Sequence, residues 1–276
     1  RIPRTVFGIL AGAALSISGS LMQAITRNPI ADPSILGVNT GASLFVVFGI
    51  AFLHINRGIQ YIGLAFAGAA LTAVLVYGLA SIGHGGATPI KLALAGAAAS
   101  TALQSLVNTI MLPSTQVTDQ LRFLQTGSIS GADWVDIRLL LPCFLIGFAL
   151  SIFLAPSLNA LALGDDAATG LGLNVPLIRA FSALAGVLLC ASTTALAGPI
   201  GFVGLMIPHL MRLLLGPDMR KILPLSAVGG ACLLLFADVL GRILGRPGEL
   251  ESGIVTALIG APVFIFIIRK AKVNSL

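Results

Sequence analysis

Long apolar runs, broken only by short clusters of charge, proline and glycine, recur along almost the whole chain and decide what it can fold into. A helix needs roughly 20 apolar residues to cross a bilayer core of about 30 Å. Nine candidate spans stand out, near residues 4–25, 35–53, 59–82, 90–112, 134–155, 176–197, 200–215, 222–245 and 251–268. The runs lack the apolar/polar alternation of strands, and in lipid the backbone must satisfy its own hydrogen bonds, so the pattern predicts helices rather than a barrel. The expected fold is an all-α polytopic membrane protein, with residues 1–276 forming one transmembrane domain. Composition agrees: 57% of residues are hydrophobic and 9% charged, against about 25% charged in a soluble domain.

Glycine is abundant at 32 residues, as expected where membrane helices approach through small side chains. The spacings Gly8/Gly12, Gly37/Gly41 and Gly241/Gly245 fit such contacts. Cys143, Cys190 and Cys232 lie far apart in apolar runs and read as small hydrophobes rather than a disulfide or metal set. Arg1 to Arg4 show no initiator methionine and no signal-peptide layout, so the numbering is expected to begin inside a longer chain. An odd number of spans places the two ends on opposite sides of the membrane.

The connections differ in character. Thr26 to Pro33 is a turn held by two prolines, residues 113–133 form a longer polar stretch able to hold a short surface helix, and residues 156–173 are too interrupted to span. That last stretch reads as one or two short helices outside the bilayer. Counting Lys and Arg near span ends, a cytoplasmic C-terminus puts Arg27, Lys91, Arg179, Arg212, Arg220, Lys221, Arg269, Lys270 and Lys272 inside. Arg1, Arg4, Arg57, Arg122, Arg138, Arg242 and Arg246 then lie outside, an arginine-rich outer face that calls for a cause. The net charge of +6 suits basic loops, and no lysine-rich tract suggests nucleic acid.

Catalytic patterns are absent. There is no G-x-x-x-x-G-K-S/T loop to cradle nucleotide phosphates, and no H-E-x-x-H, paired CxxC or G-x-S-x-G. His54, His84 and His209 fall in three separate segments and predict no metal site, and no cofactor is implied. Ionisable and amide groups within the spans are the remaining candidates, because placing them in lipid is expensive. Asp238 and Arg242 are four apart on one helix face and can pair, or Arg242 can point out to a partner. Gln23, Gln104 and Asn108 either bond helix to helix or line a translocation path. Pro208-His209 predicts a local bend in the seventh span.

Several motifs together resemble one family: the permease subunits of bacterial ABC importers for iron-siderophores, haem and cobalamin, the FecCD-type or type II importers. They are Arg1-Ile2-Pro3-Arg4 with Ser18-Gly19 and Met22-Gln23; Asn28-Pro29-Ile30-Ala31-Asp32-Pro33 with Leu36-Gly37-Val38; Leu161-Ala162-Leu163-Gly164-Asp165 with Leu171-Gly172; the run from Gly198 to His209; and the run from Gly253 to Phe264. Five in the right order cover the chain from end to end.

The resemblance implies a ten-helix permease fold, here lacking the first helix, in the bacterial cytoplasmic membrane. It also implies a second permease subunit, alike or different, two ABC ATPase subunits, and an extracytoplasmic solute-binding protein. The chain itself would be no enzyme, ATP being hydrolysed by the partner. Outer arginines of the family meet acidic residues of the binding protein, and the matching positions are Arg1, Arg4 and Arg242. Residues 157–173 match the cytoplasmic coupling helices, with Asn159-Ala160-Leu161-Ala162-Leu163-Gly164-Asp165-Asp166-Ala167 and Leu171-Gly172 as ATPase-facing positions. The loop from Gly83 to Lys91 matches the family's gate region less closely, and no single gate residue is carried over. The expected activity is import of an iron-siderophore by alternating access, with haem or cobalamin as the alternative cargo and an ATP-independent secondary transporter as the rival mechanism.

Overall fold

The computed structural model describes residues 1–29, 31–53, 55, 58–82, 88–112 and 126–273. His54, Arg57, His84, Arg122, most of the 83–91 loop and the 113–125 part of the polar stretch lie outside the described residues. The chain winds as α1 (Ile2–Thr26), a 3₁₀ turn (Pro33–Leu36), α2 (Val38–Leu53), α3 (Gly58–Ser81), α4 (Pro89–Met111), α5 (Trp134–Ala162), α6 (Asp165–Gly170), α7 (Val175–Ala197), α8 (Val203–Leu215), α9 (Met219–Leu244) and α10 (Ser252–Val273). Nine of these helices stand where the nine apolar runs predicted spans. Among the described residues, 126–133 hold no helix.

Local chemistry sets the ends. Pro3 occupies the first turn of α1, where a missing N–H goes unmissed. At the other end Arg27 turns left-handed at φ 49° and Asn28-Pro29 follows, closing the helix. Asn174 caps α7 by accepting from the Leu177 N–H at 3.1 Å, and Asp133 caps α5 by accepting from the Trp134 N–H at 2.6 Å.

Among the described residues six helices, α1, α3, α4, α5, α7 and α9, are long and apolar enough to cross a membrane. The shorter α2 and α8 have local causes. Gly37, at φ 70°, separates the 3₁₀ turn from α2. Residues 198–202 stay non-helical up to Phe202, itself left-handed at φ 68°, so α8 begins at Val203 and has 13 residues. Helix α10 runs 22 residues from Ser252 to Val273.

One boundary differs from expectation. Pro156 does not end the fifth span, and α5 runs 29 residues to Ala162. Ser157 to Ala162 are therefore the last turns of a long helix, and the separate short helix is Asp165–Gly170 alone. Proline after several established turns frees one carbonyl without stopping the helix, which neighbouring groups in a bundle can tolerate.

Helix α1 is the hub. Of its most apolar stretch 72% is buried, against 17% for α4, and it packs on α5, α7, α8 and α9. Two glycines allow this closeness: a Cβ at Gly12 would strike the backbone of Gly230 on α9, and one at Gly19 would strike the backbone of Gly204 on α8. The segment 126–131 wedges between helix ends, where the Ser128 N–H donates to the Ala197 carbonyl and the Gly253 N–H to the Gly127 carbonyl, both at 2.7 Å. Cys190 is buried, Cys143 half-buried and Cys232 exposed, all as free thiols.

Candidate functional site

Three groups of polar side chains interrupt this apolar body, and their places differ. The first lies where the N-terminus of α1 meets the C-terminus of α9. Arg4 donates to Asp238 Oδ1 through Nε at 3.0 Å and Nη2 at 2.6 Å, and through Nη1 to Glu249 Oε2 at 2.7 Å. Arg242 holds the other oxygen of the same carboxylate, Nη2 to Asp238 Oδ2 at 2.9 Å, the i,i+4 pair that the spacing allows. Asp238 is 4% exposed and accepts from both guanidinium groups. Arg1 is exposed one turn before Arg4, its carbonyl accepting from the Thr5 N–H.

The second group lies at the opposite end of α1. Arg27 Nη2 donates to the Leu161 carbonyl at 2.7 Å and to Asp165 Oδ1 at 2.5 Å, while Arg179 Nη2 reaches the same carboxylate at 3.1 Å. Beside it, Asn159 near the end of α5 uses both amide atoms: Nδ2 donates to Asp218 Oδ1, and Oδ1 accepts from the Met219 N–H, each at 2.7 Å. Asp218 caps α9, and the hydrogen bonds from Asn159 and from the Arg220 N–H hold its carboxyl below the usual range. Ala160 and Ala162 close α5, Leu163 and Gly164 form the joint, and Asp166 and Ala167 are exposed in the first turn of α6. Leu171 and Gly172 follow it, both exposed.

The third group lies on α4. Gln104 Nε2 donates to Asn108 Oδ1 at 3.1 Å, and both are exposed. Thr101, Ser105 and Thr109 stand on the same exposed side, each hydroxyl donating to the carbonyl four residues back. The five recur at helical spacing as one polar stripe on a sparsely buried helix. Sequence reasoning singled out Gln104 and Asn108 and missed the three hydroxyls, although the 101, 104/105, 108/109 spacing carries the signal. Gln23 does not join them: it is buried, and its amide nitrogen bonds the Leu205 carbonyl at 3.2 Å and the Gly204 carbonyl at 3.4 Å, fastening α1 to α8.

A family described as the FecCD transport family matches residues 1–270. The chain belongs to the FecCD transport family. It is 44% identical over 270 residues to the ferric enterobactin transport system permease protein FepD of Escherichia coli K12, covering 98% of this chain and 80% of FepD. The Fe(3+)-citrate import system permease protein YfmD of Bacillus subtilis 168 is 45% identical over 272 residues, 99% of this chain and 80% of YfmD. A solved structure of a metal-chelate type ABC transporter in an inward-facing conformation superposes with a TM-score of 0.88 at 30% identity, over 98% of this chain and 86% of that one. PsaBC from Streptococcus pneumoniae, solved with Fab, shares the fold at TM-score 0.69 and 18% identity, over 96% of this chain and 89% of that chain.

The motif-based resemblance is therefore borne out along the whole chain, and this FecCD protein is a multi-pass membrane permease. Its signature stretches sit at the structural joints. Asp32, in the loop after α1, caps the 3₁₀ turn by accepting from the Ser34 N–H at 2.9 Å, and burial pushes its carboxyl up. The run from Gly198 to His209 supplies the late start of α8 and the close approach of Gly204 to α1, with Pro208 inside the helix. Sequence reasoning did not foresee Glu249, Arg27 or Arg179 as members of charged clusters, because Arg4–Glu249 and Arg27–Asp165 join distant parts of the chain and Arg179 meets Asp165 from the next helix.

Proposed function

We propose that this chain is the membrane-spanning permease subunit of an ATP-binding-cassette importer whose cargo is a ferric chelate of the siderophore class. One observation carries the reading: the chain matches, over nearly its full length, relatives named for ferric enterobactin and Fe(3+)-citrate transport. A second permease subunit pairs with it, two ATPase subunits sit at the Arg27 end of α1, and a solute-binding protein docks at the Arg4 end. The chain itself hydrolyses nothing.

The geometry supports this division of labour. Helix α6 is short and mostly exposed, with two acidic residues in its first turn, suited to entering a cleft of a water-soluble ATPase. At the other end Arg1 is exposed, Arg242 is partly exposed beside Asp238, and Arg4 shares its charge with a half-exposed Glu249. Acidic groups on a binding protein would be steered to that face. The stripe Thr101, Gln104, Ser105, Asn108 and Thr109 lines the path between the two permeases, since hydroxyls and amides are misplaced against lipid but bind a polar chelate weakly. Weak contacts at several places favour release as well as entry. ATP binding and hydrolysis in the partner then move α6 and open the path alternately to each side.

The test is reconstitution of the permease, ATPase and binding protein in liposomes, with uptake of radioiron-labelled chelate. Uptake that requires ATP and the binding protein is expected. Equal uptake by the permease alone would replace this reading with a secondary transporter, and competition by haem or cobalamin but not by chelates would move the cargo. Reversing the charge of Arg1 and Arg242 should weaken binding-protein affinity most at low salt. Unchanged affinity there would remove the docking assignment.

A further inference from the structure

Helix α6 has a mechanical peculiarity. Both of its flanks are glycines at positive φ, Gly164 at 122° and Gly172 at 81°. At neither would a Cβ meet a neighbour within 4 Å, so close packing does not account for the choice of glycine. Such glycines turn the chain through conformations that other residues rarely adopt, and they let a short segment pivot. A six-residue helix held only by its two peptide connections would swing without moving the bundle.

It is not held only by those connections. Ala168 is fully buried against the bundle, and Asp165 reaches across the first hinge. The Asp165 carboxylate accepts from Arg27, which ends the hub helix α1, and from Arg179 in the first turns of α7. Arg27 also binds the Leu161 carbonyl, so one guanidinium joins the end of α1, the end of α5 and the start of α6. Arg179 is firmly placed, its side chain 12% exposed, whereas Asp165 is 45% exposed. A displacement of α6 is thus carried directly to α1 and α7, around both glycine hinges.

We propose that Asp165 is the positioning residue through which ATPase motion enters the bundle: a carboxylate clasped by Arg27 and Arg179 that makes α6 a lever rather than a loose tether. This rests on the reading of α6 as the ATPase-facing helix. Neutralising Asp165 leaves the glycine hinges free, so the ATPase keeps turning over while α1 follows it less.

The experiment uses the complete reconstituted transporter and measures ATP hydrolysed per chelate imported. In Asp165→Asn the ratio rises about 2- to 30-fold, the range in which substitutions along a coupling route act. Asp165→Glu, which keeps the charge, restores a ratio near that of the unaltered complex. A purely structural role would lower hydrolysis and import together and leave the ratio fixed, which overturns the proposal. If Asp165→Asn does not assemble, Arg27→Gln with Arg179→Gln tests the same clasp from the other side, and an unchanged ratio in that assembled variant also overturns it. If the unaltered complex imports without ATP, the permease reading fails and takes the lever with it. If it imports with ATP and the ratio does not move in the variants, the lever alone falls.

Discussion

Helix α1 carries an arginine near each end, and each arginine meets a carboxylate that a second arginine also holds. At one end the shared acid is Asp238, 4% exposed, between Arg4 and Arg242; at the other it is Asp165, 45% exposed, between Arg27 and Arg179. The chemistry is the same and the settings are opposite. Asp238 lies within a helix and joins α1 to α9, two long helices already packed backbone to backbone at Gly12 and Gly230. Asp165 lies on a six-residue helix between glycine hinges. A buried shared carboxylate locks, because removing it takes the ion pair from Arg242 and the buried partner from Arg4, leaving Arg4 only the outer Glu249. A half-exposed one transmits, because water and salt offer substitutes and the bond can be remade as the parts move.

The largest expected effect follows from that contrast. Asp238→Ala should destabilise the protein by about 3 kcal/mol, the scale for breaking a buried charge network, seen as a lower thermal midpoint and poor yield in detergent. Glu249→Gln, on the exposed side of the same arginine, should stay within about 1 kcal/mol. If the two variants melt alike, Asp238 is no lock. Next comes Arg4→Gln, expected to lose about 2 kcal/mol, the scale of a hydrogen bond to a charged group. The loss is smaller because Arg242 still neutralises Asp238, and a thermal shift equal to that of Asp238→Ala would mean that Arg242 contributes nothing there.

At the other end, Asp165→Asn should cost no more than about 1 kcal/mol of stability in thermal melts, although it disturbs the coupling ratio. A loss as large as that of Asp238→Ala would mean that Asp165 is a second lock, and the distinction between the two ends of α1 would collapse.

Much of this molecule is written in periodicity. The nine apolar runs place nine helices, and Asp238 with Arg242 is an ion pair that four-residue spacing alone allows. Proline and glycine mark the breaks at Asn28-Pro29, Gly37 and Gly198. What sequence cannot give is a partner far away along the chain: Arg4 and Asp238 are 234 residues apart, and Arg27 and Asp165 are 138 apart. Only the packing of α1 at the centre brings them together. Pro156 misleads for a related reason. Proline is a strong stop for an isolated helix, but a helix fixed at both ends by tertiary contacts continues past it. The α4 stripe is an intermediate case: its spacing is legible, yet hydroxyls on a helix bond their own backbone so commonly that threonine and serine attract no notice without the exposed face in view.

The smallest expected effect is acid sensitivity at the Arg27 end, where Asp218 lies beside the lever. Hydrogen bonds from Asn159 and the Arg220 N–H favour its ionised form in the folded protein, so its carboxyl titrates below the ordinary 3.8. As pH falls the unfolded chain takes up that proton first, and unfolding becomes relatively easier. The stabilisation is therefore complete above about pH 4 and fades as pH drops through the lower folded value. Thermal melts between neutral and acid pH should show a shallower acid decline in Asp218→Asn than in the unaltered protein. Asn159→Ala should flatten the decline in the same way, because it removes the donor chiefly responsible. If Asn159→Ala left the acid slope intact while Asp218→Asn removed it, the hydrogen bond joining α5 to α9 would not be what holds Asp218 ionised, and the Arg220 N–H with the Lys221 and Arg220 charges would have to do so.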